Sequence, residues 1–134
     1  MERINIYLAG TIYDDPEDKS WKDRFIAQLP KDMFRIFDPS PKKGNSFEVV
    51  PRDKRVIEGC DFIVAYVKTP SFGTTMEIKH AFDRQNIAIF VIDPTGKNIQ
   101  SLWLNYHLHR GFTSVDECAK EVIETVNKMK VIEP

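Results

Sequence analysis

The stretch Pro70-Ser71-Phe72-Gly73-Thr74-Thr75-Met76-Glu77 holds the residue types best suited to chemistry. It lies between an apolar run and an amphipathic one, so the pattern predicts a strand, a loop and then a helix from about Thr74 to Arg84. Gly73 would let the backbone approach a ligand closely. The free N–H groups that open a helix favour an anion or a sugar hydroxyl. Glu77 would then stand in the first helical turn as a carboxylate open to catalysis. The same letters also have a purely structural reading, and spacing alone favours it: Thr74-x-x-Glu77 is a capping box, and a first-turn glutamate complements the helix dipole. Asp53, in Pro51-Arg52-Asp53-Lys54-Arg55, is a second candidate carboxylate, against the reading of a first-turn acid among surface charges. Asp61 more simply caps the turn from Gly59. Tyr7 falls inside an apolar run, where a tyrosine is usually core with its hydroxyl bonded. Lys42 and Lys43 could meet a phosphate, although two loop lysines are ordinarily just solvated.

Positioning these side chains requires an alternation of short apolar runs and amphipathic stretches. Ile4 to Ala9 reads as a buried strand ending at Gly10. Asp15 and Pro16 suit the N-cap and first position of a helix carrying Trp21, Phe25, Ile26 and Leu29, closed by Pro30. Met33 to Phe37 is a second strand, stopped by Asp38-Pro39. After the polar loop Ser40 to Ser46, a helix is expected over Phe47 to Gly59, with Pro51 near its start. Asp61 to Val67 and Ile87 to Ile92 are further strands. The last is almost wholly apolar, as a parallel strand covered on both faces should be. Asn98 to Leu108 is partly helical, Gly111 to Thr113 a short fifth strand, and Ser114 with Glu117 a capping box for a final helix. The whole chain, 1–134, then forms one α/β domain: a three-layer sandwich around a five-stranded parallel sheet. Ligands in such folds bind outside the carboxyl ends of the strands. That rule selects Gly10 to Asp15, Asp38 to Ser46, Lys68 to Glu77 and Asp93 to Ser101.

Composition narrows the functions. The 134 residues are 42% hydrophobic and 29% charged, with 19 Lys+Arg against 20 Asp+Glu. A net charge of −1 argues against a nucleic-acid polymer as partner. No apolar run reaches the roughly 20 residues of a membrane span. Met1 to Ile6 leads straight into a strand pattern, so no signal peptide is expected, and a reducing, cytoplasmic setting is the simplest reading for Cys60 and Cys118. No G-x-G-x-x-G follows the first strand, and there is no Walker loop. The first loop lacks the hydroxyl-rich run of a flavin phosphate site, and no acceptor aspartate ends the third strand. His80, His107 and His109 form no metal set. Glu77-x-x-His80 has the spacing of a di-iron half-motif, without a second copy.

Taken together, Ile6-Tyr7-Leu8-Ala9-Gly10, Trp21, Asp53, Cys60-Asp61-Phe62-Ile63-Val64-Ala65 and Pro70-Ser71-x-Gly73-Thr74-x-x-Glu77 resemble the nucleoside 2-deoxyribosyltransferase family. The resemblance runs from the first strand through the fourth. Its strongest part is S-x-G-T-x-x-E at the expected distance after C-D-x-x-V-A. It implies a flavodoxin- or Rossmann-like sandwich, a homo-oligomer whose sites are completed by a neighbouring subunit, and cleavage of the N-glycosidic bond of 2′-deoxynucleosides or their 5′-monophosphates. It implies Glu77 as nucleophile, Tyr7 as the group that orients it, and Asp53 as a proton carrier beside the leaving base. Gly10, Thr11, Ser71, Gly73 and Thr74 would line the substrate site, with Ser71 and Gly73 at the 5′ end of the sugar. Ser101 and Asn105 would act across a subunit interface. The partners would be a nucleoside or nucleotide and a free nucleobase, and neither metal nor organic cofactor is called for.

The acceptor is left open. Transferases of the family tend to carry an aspartate at the position of Ser71, and a serine there is similar to the nucleotide hydrolases. Those hydrolases tend to place an arginine where this chain has Tyr13. Transfer to a second base is the first expectation, and hydrolysis of a 5′-monophosphate the second. Two further classes compete: a non-catalytic nucleotide-binding module, and an interaction protein using Trp103 and Tyr106.

Overall fold

The five strands make a single parallel sheet. A computed structural model describes residues 2–10, 16–39 and 43–132. In chain order the elements are β1 (Ile4–Ala9), α1 (Pro16–Ala27), β2 (Phe34–Phe37), α2 (Ser46–Glu58), β3 (Phe62–Tyr66), α3 (Phe72–Arg84), β4 (Ala88–Ile92), a 3-10 turn (Asn98–Gln100), α4 (Leu102–His107), β5 (Arg110–Phe112) and α5 (Val115–Ile132). The sheet order is β2-β1-β3-β4-β5. All pairings are parallel, with Tyr7 beside Phe37 on one side and Ile63 on the other. The chain leaves β1 in one direction to β2 and then crosses to β3 on its other side. The crevice between β1 and β3 is therefore the topological switch point.

Alternation along the strands sorts the core into two layers. Ile6, Leu8, Phe62, Val64, Phe90 and Ile92 face α1 and α5, meeting Trp21, Phe25, Cys118 and Val122. Tyr7, Ala9, Ile63, Ala65, Ile89 and Val91 face the other way, against Ile57 of α2 and Ile78 and Ala81 of α3. Tyr7 is thus aimed at the α2–α3 side by parity alone. No described helix is long and apolar enough to cross a membrane. The expected three-layer α/β architecture is the one found, with strand bounds mostly within a residue of those read from the sequence.

One helix starts two residues earlier than expected and another one residue earlier, and both positions matter. Helix α3 begins at Phe72, and its N-cap is Ser71, whose side chain accepts from Thr74 N at 3.3 Å. Thr74 is buried and also takes the Ser71 hydroxyl on its Oγ1 at 3.0 Å. A Thr74–Glu77 capping box is therefore not formed, and Glu77 is the sixth residue of the helix rather than a first-turn residue. Helix α2 begins at Ser46 behind the N-cap Asn45, so Pro51 lies inside it and Asp53 is its eighth residue. Asp61 does not cap the turn at Gly59. Its Oδ2 accepts from Asn5 N at 2.9 Å, tying the start of β3 to that of β1. At the far end, Ser114 accepts from Glu117 N at 3.3 Å, as the capping box predicts for α5.

The loops at the carboxyl edge are fastened to one another. Asp93, fully buried, accepts from Thr95 N at 3.0 Å, Thr95 Oγ1 at 2.7 Å and Asn98 N at 2.6 Å. Asn98 Nδ2 in turn donates to Val67 O at 2.7 Å and Lys68 O at 3.1 Å. Gly10 closes β1 under tight constraint. A Cβ there would lie 3.1 Å from Trp21 Cζ2 and 3.1 Å from Tyr66 O, at φ +156°. Trp21 stacks on Tyr66 with ring centroids 5.1 Å apart and planes 9° from parallel.

Candidate active site

The site grows from Tyr7, a fully buried residue of β1 whose strand parity turns it towards α3. Its hydroxyl donates to Glu77 Oε2. Burial drives the Tyr7 phenol well above its ordinary range, and the Glu77 carboxylate adds to this by charge and by hydrogen bond, with smaller contributions from Asp53 and Cys60. The phenol therefore stays protonated and remains a donor. A buried donor on a strand, bonded to a carboxylate on a helix, holds that carboxylate in one orientation. Helix α3 supplies Gly73, Met76, Glu77 and His80 to one face, the i, i+3, i+4, i+7 spacing of a helical stripe. Because Glu77 lies beyond the first turn, the macrodipole contributes little to its charge. The Tyr7 bond carries the orienting role instead.

Opposite stands α2, with Val49, Val50, Asp53 and Ile57 turned to the same space. The two helices enclose a cavity of about 200 Å³ that has Glu77 and Asp53 among its walls. Asp53 is only 5% exposed, far from the solvated first-turn acid of the structural reading. Its Oδ1 lies 3.7 Å from Arg52 Nε. A Cβ on Gly73 would meet nothing within 4 Å, so the chain itself does not require glycine there, and the open space belongs to the cavity.

The structure thus brings Tyr7, Asp53, Gly73 and Glu77 together. Ser71 and Thr74 stand at the head of α3, bonded to each other. Gly10 ends β1 at the switch point. Ser101 and Asn105 are elsewhere. Ser101 lines a separate cavity of about 350 Å³ with Thr75, Ile78 and Lys79, on the opposite flank of α3. Asn105 is exposed, and its Nδ2 donates to Ile99 O at 3.2 Å. Thr11, Tyr13 and Lys42 lie outside the described residues. Sequence reasoning missed the pairing of His80, which lines the same cavity, with Glu58, whose Oε2 is 2.8 Å from His80 Nε2. The signal was present: His80 is three residues after Glu77 and so shares its helix face.

No protein-family model matches the sequence, and no curated protein does. Solved structures do match. A 2-deoxyribosyltransferase from Bacillus psychrosaccharolyticus superposes with a TM-score of 0.68 at 21% identity, covering 86% of this chain and 90% of that one. The CMP N-glycosidase BcmB of Clostridium botulinum gives 0.66 at 17% identity, over 90% and 98%. A 2-desoxiribosyltransferase from Leishmania mexicana gives 0.54 at 20% identity over 67% of this chain, and the match spans 65% of that protein, just under two thirds of its length. TIR domains of the activated Roq1 resistosome also match, at 0.60 and 9% identity, over 92% and 99%. At these identities the likeness is one of fold: the chain is a five-stranded parallel α/β sandwich of the kind on which a deoxyribosyltransferase and a CMP N-glycosidase are built.

Proposed function

We propose that the chain cleaves the N-glycosidic bond of a 2′-deoxynucleoside or its 5′-monophosphate. The observation that carries the reading is the buried Tyr7 hydroxyl bonded to Glu77 on the wall of a cavity that Asp53 also lines. As the base leaves, C1′ of the sugar gains oxocarbenium character. The Glu77 carboxylate attacks C1′ from the face opposite the base, forming a glycosyl ester as the C1′–N bond breaks. Asp53 delivers a proton to the departing base. In the second step an acceptor attacks C1′ and gives its proton to the Asp53 carboxylate, the ester bond breaks, and Glu77 is released as carboxylate. A second base as acceptor gives transfer, which is the leading reading. Water as acceptor gives hydrolysis of the nucleotide. The second outcome is favoured by the absence of a carboxylate at Ser71 and by Lys54 among the cavity residues.

The cavity is smaller than the roughly 300 Å³ at which small-molecule clefts usually begin. A neighbouring subunit would complete it. Large apolar side chains stand exposed around the α3–α4 side, with Phe72 at 90% and Trp103 at 81%, as an association surface would require. Ser101 and Asn105 lie on that side and would reach a neighbour's site rather than their own. This reading gives a homo-oligomer.

The test is incubation with deoxynucleosides and their 5′-monophosphates, with and without an acceptor base, followed by chromatography of released base. Base release or exchange is expected, with loss in Glu77→Ala and a fall of about 10²-fold or more in Asp53→Asn, the usual reach of a proton-transfer group. Mass spectrometry of denatured enzyme should find one deoxyribosyl group added at Glu77. Full activity in Glu77→Ala would remove the nucleophile and with it the reading. Binding of nucleotides without turnover would point to a non-catalytic module.

A further inference from the structure

His80 lies one turn beyond Glu77, about 4.5 Å further along the α3 axis, and lines the same cavity. Its Nε2 is 2.8 Å from Oε2 of Glu58, the last residue of α2. The two side chains are 21% and 34% exposed, so the pair is partly sheltered from water. A carboxylate only accepts, so Nε2 of the neutral ring carries the hydrogen and Nδ1 is left as an acceptor. Carboxylate partners fix histidine tautomers in this way elsewhere. Among the described residues no group bonds Nδ1, and the atom is not sealed from solvent.

Val50, Ile57 and Met76 give the cavity an apolar part of its lining. A flat ring with a polar edge suits such a cavity. Cytosine and adenine present an amino donor on that edge, whereas their oxo counterparts present an acceptor. An acceptor facing Nδ1 would leave both groups without a hydrogen.

We infer that His80, held by Glu58, selects the leaving base: Nδ1 accepts a hydrogen bond from an exocyclic amino group, so the site takes cytosine- or adenine-type bases over uracil- or hypoxanthine-type ones. The inference rests on the proposed N-glycosidic cleavage and names the substrate class for it. Glu58 is a positioning residue that acts through His80.

The experiment compares 2′-deoxycytidine with 2′-deoxyuridine, and 2′-deoxyadenosine with 2′-deoxyinosine, each also as the 5′-monophosphate, in mildly alkaline buffer, and the outcomes below are read on whichever pair is bound or turned over. Wild type, His80→Ala, His80→Asn, Glu58→Ala and Glu58→Gln are assayed for base release. Calorimetric binding of free cytosine and uracil runs in parallel, and circular dichroism checks folding. One hydrogen bond of about 0.5–1.5 kcal/mol corresponds to roughly two- to twelvefold in kcat/KM. Wild type should prefer the cytosine substrate by at least that factor, mainly through KM. His80→Ala and Glu58→Ala should lose the preference. His80→Asn and Glu58→Gln, which keep an acceptor in place, should retain part of it. Turnover with the same selectivity in wild type and folded His80→Ala overturns the inference and leaves the cleavage reading standing, as does a preference for uracil. Cytosine-selective binding that His80→Ala abolishes, without turnover of any substrate, supports His80 as the base contact and overturns the cleavage reading. Absence of both binding and turnover overturns both.

Discussion

Replacing Tyr7 by Phe removes one oxygen atom and leaves a ring of nearly the same shape in a fully buried slot. What is lost is the donor to Glu77 Oε2. A hydrogen bond to a charged group contributes about 1.5–3 kcal/mol. If that orientation serves the attack on C1′, kcat should fall by roughly 10- to 150-fold, at about 1.4 kcal/mol per factor of ten. KM should move much less, because Tyr7 touches the nucleophile and not the base. The cost to folding should be smaller, since the Glu77 carboxylate lies at a cavity that water can enter. The assay is steady-state base release, with Glu77→Gln and the double variant completing a cycle. In Glu77→Gln the attacking charge is gone, so adding Tyr7→Phe should change little. A Tyr7→Phe enzyme with kcat within about twofold of wild type would refute the orienting role, because even the weakest charged hydrogen bond is worth more than that. The raised phenol also has a stability signature. Unfolded tyrosine releases its proton near the ordinary value of 10.0, while folded Tyr7 keeps it to higher pH. The folded state is then the one holding the extra proton, so stability is lost as pH rises above about 10. Tyr7→Phe should flatten that alkaline loss in urea titrations.

Gly10→Ala should destabilise the fold by about 1–3 kcal/mol, because the new Cβ would press on Trp21 and on the Tyr66 carbonyl at 3.1 Å, at a φ of +156°; a melting temperature equal to wild type would contradict the close approach. The thiols should be inert in the native protein. Burial first, then the Asp61 carboxylate, push Cys60 up to about 12 from 9.0, and burial raises Cys118 as well. Alkylating reagent should label neither until denaturant is added, and rapid native labelling of Cys60 would count against its burial. Because the unfolded thiol ionises first, the contribution of Cys60 to stability should be intact below pH 9.0 and lost between there and about 12.

The fold was largely legible because its signals are local. Apolar runs such as Ile87 to Ile92 announce strands covered on both faces, and Pro16, Pro30 and Gly59 punctuate the helices. The start of α3 was not legible. Ser71 and Thr74 are both good N-caps, and each has a partner three residues on. What decides between them is that Thr74 is buried and bonded to Ser71, which is a tertiary fact. The same three-residue shift of the cap turns Glu77 from a first-turn acid into a residue facing β1. The first-turn alternative for Asp53 fails for a similar reason: a proline normally opens a helix, and here Pro51 lies within one. The meeting of Tyr7 with Glu77, seventy residues apart in sequence, follows from strand parity and sheet order and from no local pattern. Ser101, on the opposite flank of α3, and the exposed Asn105 stand away from the Glu77 cavity, a placement that no local pattern encodes.

The ties at Asp93 and Asn98 make a strut. The segment that leaves β4 is clamped to the buried Asp93, and through Asn98 it grips the two carbonyls by which the chain leaves β3. Three residues past Lys68 lies Ser71, the cap from which α3, and so Glu77, is launched. Three residues past Asn98 lies Ser101, from which α4 and its outward aromatic side chains begin. The aromatic face of α4 and the cap of α3 are therefore tied to a common point, the two amide hydrogen bonds that Asn98 makes to the end of β3.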